Sequence, residues 1–594
     1  MHILSAGGSI RPTQRDGARP ALRRPGRSAG TTLSGRPVRG FDRLSAMSRP
    51  APWGELSLRI AQSPLFTDFA SRLAAGRGRA TRLPPAAAAW VGDLIAEAMG
   101  RPLVVVVPHE SDAFAWLESL RLVAGEGVGG YFATPSLSPY QEAEASLTVR
   151  AQEVTALADA LAGRLRALLV TPRALFRRLP EAAGLAPIVL RRGAEIDLEE
   201  LALRLTALGY RRVDLVGEVG DFAVRGGVFD LAAAGDEEPL RLDLFGNEIE
   251  SLRRFEVESQ RSHDELREAA VLPLALFPEG PDSARRLAQV LAGVAGEEPG
   301  RETRDHLAAL ADGGRFPGWE NLLPLLAPRS LTLAELLPRA VWLTFDPGAL
   351  AAEAVHHGQR LAEEYTARRE HQRFALEPAL LEHPVEAVLA LIERASAAVV
   401  PLAAPGEAID FGVLATDLFH GQLPRFPNEV AATRARGERL LLVAPQERHA
   451  ALGELLEGRD IPLGRGGVEI VTGELERGYR LPAAGVAIFG ETQLLPRPMA
   501  RGGRRGRGRF GPFLATLRDL KVGDHVVHND HGIGQFVALR SVGGPSGPAE
   551  TGLAPLPSSM RKLAGPAAAD NEVMEILYAG GKRLLVPLAR LDLI

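Results

Sequence analysis

Apolar and polar positions follow different rhythms in different parts of this chain, and each rhythm predicts its own kind of element. Between residues 53 and 184 they read as alternating helix and strand. Residues 85–99 are Ala-rich and helical, and Leu103-Val-Val-Val-Val107 is a short continuous apolar run bounded by prolines. Such a run predicts a strand covered on both faces, as in a parallel sheet. A second helix is predicted over 111–123, a loop at 134–139 (Thr-Pro-Ser-Leu-Ser-Pro), a long helix to about 165 and a buried strand at 167–170. This succession argues for an α/β layer.

From 186 to 262 the period shortens to two. One helix over 198–208 is followed by four alternating segments: Val213-Asp-Leu-Val216, Asp221-Phe-Ala-Val224, Gly227-Val-Phe-Asp-Leu231 and Leu240-Arg-Leu-Asp-Leu-Phe245. Glycines and charged turns separate them, which predicts a small α+β domain with an antiparallel sheet. Residues 263–375 are helical and interrupted by prolines. Residues 376–498 return to α/β, with strands at 439–443 and 468–471. Residues 499–515 are rich in Arg and Gly without acids, the composition of a linker. In 516–594, two β-rich stretches, Leu520 to Phe536 and Ile576 to Leu588, read as facing parts of one small barrel. The expected fold is therefore a multidomain mixture of α/β and α+β, with domains at 53–185, 186–262, 263–375, 376–498 and 516–594.

Composition narrows the chemistry. The 594 residues are 46% hydrophobic and 24% charged, ordinary for globular protein with large cores. Cysteine is absent, which removes disulfides, thiol nucleophiles and cysteine-ligated zinc. This fits a reducing cytoplasm, the expected location. No run of eighteen apolar residues occurs, so no membrane-spanning helix is expected. Residues 1–50 hold ten arginines against two aspartates, a net +8 that leaves −12 on the remainder of a −4 chain. This head, rich in Gly, Pro and Ser and without a hydrophobic period, is expected to be disordered through residue 52. An organelle transit peptide and an extension upstream of a start at Met47 are both open; the missing amphipathic pattern favours the second.

A nucleotide site in the first α/β domain would need glycines to cradle phosphate, a lysine, and a Ser or Thr for magnesium. The corresponding stretch, Ala75-Gly-Arg-Gly-Arg-Ala-Thr-Arg82, has no lysine beside a hydroxyl, and Gly580-Gly-Lys-Arg583 reads as a hairpin turn. No ATP hydrolysis is expected here. The small domain carries Arg212, Arg225 and Arg241 on its alternating segments, with Asp243 two residues beyond Arg241 and so on the same face. A solvated sheet face is the default for this pattern. The alternative is a polar protein-docking face, with Phe229, at an even spacing from Arg225, as an apolar anchor. His525, His528 and His531 resemble a metal cluster in spacing, but a separation of three on a strand sends neighbours to opposite faces, so no metal is expected. Arg501, Arg504, Arg505, Arg507 and Arg509 are a candidate nucleic-acid contact through phosphates. With only Phe510 beside them for base stacking, a charged spacer is the favoured reading.

These stretches together resemble the bacterial transcription-repair coupling factors over most of residues 53–594. Gly209-Tyr-Arg-Arg-Val-Asp214, Gly220-Asp-Phe-Ala-Val-Arg-Gly-Gly-Val-Phe-Asp230 and Leu244-Phe-Gly-Asn-Glu-Ile-Glu250 resemble the module that family shares with the excision-repair protein UvrB. The resemblance makes 53–185, 186–262 and 263–375 the UvrB-like parts, and implies UvrA binding through Arg212, Arg225, Arg241 and Asp243, with Phe229 the candidate anchor that spacing adds. The C-terminal Val-Val-His-Asn-Asp-His-Gly-Ile-Gly and Leu-Leu-Val-Pro signatures resemble the CarD-like RNA-polymerase-interacting domain. It implies a Tudor-like (SH3-like) barrel that grips the polymerase β subunit, with Ile533, Val537, Leu539, Arg540 and Val542 as candidate contacts. The family continues into a two-lobed ATP-dependent DNA translocase, and this chain ends at Ile594 before one. ATP, magnesium and most double-stranded DNA contacts are expected only of that motor. The Pro/Gly/Ala stretch at 543–569 reads as an insertion between barrel strands. The rival readings are a CarD-type transcription regulator and an active UvrB-like repair subunit; the second would need an intact phosphate loop and a long aromatic hairpin where only the 134–140 loop stands.

Overall fold

The computed structural model describes residues 49, 51–76, 78–135, 138–141, 143–294, 300–419 and 423–495, with the strands His525–His528, Gly532–Ser541, Glu572–Leu577 and Arg583–Pro587. The apolar run after Pro102 forms the strand Leu103–Val106 inside a seven-stranded, all-parallel sheet. From one edge the order is Ile409–Asp410, Gly78–Thr81, Ala397–Val399, Val341–Phe345, Leu103–Val106, Ala167–Val170 and Gly129–Tyr131. Val104 and Val106 enter one core with Leu168 and Val170, while Leu103 and Val105 enter another with Ala167 and Leu169. Two cores fed by alternate residues explain why the run has no polar position.

Three strands of this sheet come from residues beyond 340, so it unites segments that composition separates at 263 and 376. The antiparallel domain is thus an insertion between the strands Ala167–Val170 and Val341–Phe345. Its sheet has six strands in the order Ser262–Glu265, Glu248–Phe255, Leu240–Phe245, Val228–Leu231, Asp221–Arg225 and Arg211–Arg212. Leu240, Leu242, Ile249, Leu252, Phe222 and Phe229 bury one face against the helix Leu198–Ala207, through Leu201 and Leu205.

The expected strand at 213–216 does not form. Gly217 and Glu218 donate their backbone N–H groups to Asp221 Oδ2 at 3.2 Å each, which ties this segment into a loop. Val213 and Val216 then turn onto the sheet's other face, against Ala223 and Phe255. An apolar-polar alternation arises there from a loop lying across a sheet.

A five-stranded mixed sheet follows, in the order Leu414–Ala415, Tyr479–Leu481, Val486–Gly490, Arg439–Ala444 and Val468–Thr472. The two strands expected here are its parallel edge pair. Leu441 and Val443 pack into the core that holds Leu103 and Val105, and Leu440 and Leu442 face Phe426 and Leu452. The four C-terminal strands form an antiparallel meander in chain order. Among the described residues no helix is long and apolar enough to cross a membrane.

Candidate protein-docking site

The carboxyl edge of a parallel sheet is where α/β folds place ligands; here it borders a small pocket lined by Arg173, Arg177, Glu320, His357 and Glu382, with His357 and Arg177 engaged by carboxylates. The strand Gly78–Thr81 passes into the helix Pro85–Met99 through only Arg82, Leu83 and Pro84. Half of the stretch scanned for a phosphate loop, 75–82, is therefore strand. Pro84 and Pro85 lack N–H groups, so the helix start offers few amides to an anion. Arg82 is ion-paired to Asp410. Nearby, Tyr131 donates to Glu110 Oε1 at 2.7 Å, His357 Nε2 meets Glu382 at 2.7 Å and Arg177 Nε donates to Glu153 at 3.0 Å.

The small sheet is different, because its second face carries a charged cluster beside the part that Val213 and Val216 cover over Ala223 and Phe255. Strand pairing sets which residues share it. Asp230 lies opposite both Ala223 and Arg241, Val228 lies opposite Arg225 and Asp243, and Asp243 and Arg241 lie opposite Ser251 and Arg253. Directly paired residues project from the same side of a sheet, so Arg225, Val228, Asp230, Arg241, Asp243, Ser251 and Arg253 form one surface.

Asp230 organises it. Its side chain is 1% exposed and accepts from Arg241 twice, Nε to Oδ1 at 2.7 Å and Nη2 to Oδ2 at 2.9 Å. Arg225 also pairs with Asp230 Oδ2. Arg241 donates further to the backbone oxygen and Oε1 of Gln260, at 3.0 Å each, and its guanidinium carbon lies 4.3 Å from the centre of the Phe255 ring. These bonds hold a planar guanidinium in a fixed orientation. Hydrogen bonds to Asp230 raise the Arg241 pKa against the opposing effect of burial. Beside it, Asp243 accepts from Ser251 Oγ at 2.6 Å and pairs with Arg253. Burial would raise the Asp243 carboxyl, but the Ser251 and Arg253 hydrogen bonds and the nearby arginine charges outweigh it and hold the pKa below the usual value.

Asp230 and Arg241 are the deeper groups, at 1% and 15% exposed. Asp243 is 28% exposed, against 46% for Arg225 and 40% for Arg253. Solvent therefore meets the Arg225 and Arg253 guanidiniums, with Asp243 partly open and Glu248 exposed beside them.

Two of the sequence-derived positions fall elsewhere. Phe229 is fully buried and stacks on Phe222 at 5.6 Å in the apolar core. Even spacing from Arg225 does not place it on that residue's face because a two-residue hairpin, Gly226-Gly227, intervenes and the alternation restarts across it. Gly226 has φ +60, which favours glycine, and a Cβ on Gly227 would stand 3.0 Å from Leu244 O, so a side chain there would force the turn to shift. Arg212 pairs in parallel register with Phe222, so it projects from the opposite side at an exposed edge; Arg211, paired with Asp221, shares the side of Arg225. Arg211 donates to Asp221 at 2.8 Å and to Glu218 at 2.9 Å. Asp230 was missed by sequence reasoning, since nothing in linear spacing shows that one carboxylate serves arginines on two neighbouring strands.

Comparison with known proteins bears directly on this face. Residues 188–277 match the UvrB interaction domain, and residues 520–594 match the CarD-like/TRCF RID domain. Transcription-repair-coupling factors are similar over most of the chain. That of Mycobacterium tuberculosis (strain CDC 1551 / Oshkosh) is 29% identical over 537 residues, covering 81% of this chain and 42% of the relative. The Escherichia coli (strain K12) protein is 26% identical over 544 residues, 86% of this chain and 44% of the relative. That of Bacillus subtilis (strain 168) is 23% identical over 488 residues, covering 76% and 39%. The chain is a relative of the transcription-repair-coupling factors. It spans about two-fifths of the length of these curated relatives.

Within the matched RID segment of this coupling-factor relative, Gly532–Ser541 is an inner strand. Ile533 pairs with Val527, Leu539 with Met574 and Arg540 with Val573. The register shifts between Phe536 and Ala538, leaving Val537 as the extra residue of a bulge. Val542 and the arginines at 501, 504, 505, 507 and 509 lie outside the described residues. His525 and His528 end a four-residue strand, paired with Gln535 and Gly532, while His531 is outside the description. Among the described residues no group of three or more His, Asp or Glu is placed to hold a metal.

Proposed function

We propose that this chain acts in transcription-coupled nucleotide-excision DNA repair, docking on the RNA polymerase β subunit through its C-terminal domain and on UvrA through the polar face of the small sheet. One observation carries this reading: a UvrB interaction domain and a CarD-like/TRCF RID domain occur in a single chain. Either domain alone fits a simpler role. Together they describe an adaptor between polymerase and repair.

On the UvrA side, Arg225, Arg241 and Asp243 are the proposed contacts. Their orientation by Asp230, Ser251 and Gln260 reduces the ordering cost of association. Arg212 is retained only as an edge contact, and Phe229 drops out because it is buried. On the polymerase side, we read the four-stranded meander as part of a Tudor-like barrel, with Ile533, Val537, Leu539, Arg540 and Val542 toward the β subunit. His525–His528 pairs only with residues 532–535, which leaves the far part of Gly532–Ser541 one edge without a described partner strand. The motor activity belongs in this reading to the whole family; we assign ATP and magnesium to no residue described here.

Arg225→Glu tests the UvrA assignment. Arg225 is nearly half exposed, so the variant should fold as the parent does and lose UvrA in a pull-down. Unchanged capture would move the contact to another surface.

A further inference from the structure

The docking face has an aromatic side chain that sequence spacing did not single out. Phe245 is 80% exposed, in a domain that buries its other phenylalanines, Phe222, Phe229 and Phe255. It follows Arg241 and Asp243 at steps of two on one unbroken strand, Leu240–Phe245, while Leu240, Leu242 and Leu244 turn to the core. Phe245 therefore stands on the arginine face, about 7 Å along the strand from Asp243.

Its position is rigidly set. Phe245 pairs with Glu248 across a two-residue turn whose first residue, Gly246, has φ +62. On the adjacent strand the Gly226-Gly227 turn lies alongside, with Leu244 N–H donating to Gly227 O at 2.8 Å. Half-buried Val228, opposite Asp243, extends the apolar spot toward Arg225. A lone exposed apolar residue is unremarkable on a protein surface. This one sits on a turn on the same face as Arg225, whose carboxylate partner Asp230 is buried, and Arg253, whose partner Asp243 is partly exposed. Aromatic anchors bordered by arginine are the composition of energetic centres in protein interfaces.

We infer that Phe245 is the apolar anchor of this docking face, seated in a pocket of UvrA whose rim is acidic and meets Arg225 and Arg253. The inference rests on the proposed UvrA reading and adds to it the residue that sets affinity. Charge complementarity sets the acidic rim against the exposed Arg225 and Arg253 alone, since Glu248, paired with Phe245 across the turn, is itself exposed.

The test titrates purified UvrA with the full chain carrying Phe245→Ala, Phe245→Trp or Arg225→Glu, alongside the parent. Phe245→Ala should weaken binding about 30-fold, with an unchanged melting profile because the ring is exposed. Phe245→Trp should keep binding, and its emission should shift to the blue as UvrA covers the ring. If Phe245→Ala weakens binding less than tenfold while Arg225→Glu abolishes it, the anchor is wrong and the docking reading stands. If neither substitution affects UvrA binding, the docking reading fails and the anchor with it. Self-association of the parent that Phe245→Ala abolishes would assign the face to a second copy and overturn the inference.

Discussion

Removing Asp230 should loosen the whole polar face, and the size of the effect follows from burial. In Asp230→Ala, Arg241 loses both hydrogen bonds to the carboxylate while only 15% exposed. Taking one partner from a buried ion pair costs about 3–5 kcal/mol because the other charge is left desolvated. Gln260 and the Phe255 ring remain on Arg241 and moderate the loss. Arg225 is exposed enough to recover water and adds at most about 1 kcal/mol. We expect about 3 kcal/mol in total, near the lower end of the buried-pair range. Hydrogen exchange followed by mass spectrometry reads this locally: peptides covering Asp221–Arg225 and Leu240–Phe245 should exchange about 150-fold faster. Asp243→Ala is the comparison, since its partner Arg253 is 40% exposed and the expected loss is about 1 kcal/mol, roughly fivefold in exchange. Equal effects from the two substitutions, or less than tenfold from Asp230→Ala, would refute the view that Asp230 organises the face.

Other consequences can be checked separately. His383 has a folded pKa below its ordinary value because burial disfavours the imidazolium, with Arg178 adding to this and the bond to Leu331 O and the charges of Glu335 and Glu382 opposing it. The unfolded chain therefore binds more protons as pH falls through about 6.5, so the stability contributed by neutral His383 is full above that pH and lost on acidification. His383→Gln should melt with a smaller drop between pH 7.5 and 5.5 than the parent; an identical drop would remove His383 from the account. Gly227→Val should destabilise the small sheet by roughly 1–3 kcal/mol, since its Cβ would stand 3.0 Å from Leu244 O; a melting curve like the parent's would show that the hairpin yields. Val542→Asp should abolish capture of the polymerase β subunit, and retained capture would place that interface elsewhere on the C-terminal domain.

What the sequence disclosed, and what it hid, divides along physical lines. The run at 103–107 announced a strand between two cores, because covering both faces leaves no place for a polar residue. Arg241 and Asp243 were placed on one face correctly, since they lie on a single unbroken strand. The same alternation continues to Phe245, a signal present in the sequence and not followed. Phe229 failed because counting by twos crossed a hairpin, where pairing and not spacing decides the face. Arg212 fell on the wrong side because its two-residue strand takes its register from a neighbour ten residues away. The strand at 341–345 lay inside a stretch expected to be helical and that at 397–399 inside a separate α/β domain, since a parallel sheet is assembled from crossovers of any length and composition does not mark them. The match to the UvrB interaction domain ends at 277, just past the last strand of the inserted sheet, Ser262–Glu265, and well before the parallel sheet resumes at Val341.

The central claim is that one chain holds UvrA and RNA polymerase together. A bridging assay addresses it most directly: immobilise the polymerase β subunit, add the chain, then add UvrA. The account predicts that UvrA is retained only when the chain is present, and that it is lost with Arg225→Glu while the chain itself stays bound. UvrA retained equally by Arg225→Glu, or not retained with the parent chain, would contradict it.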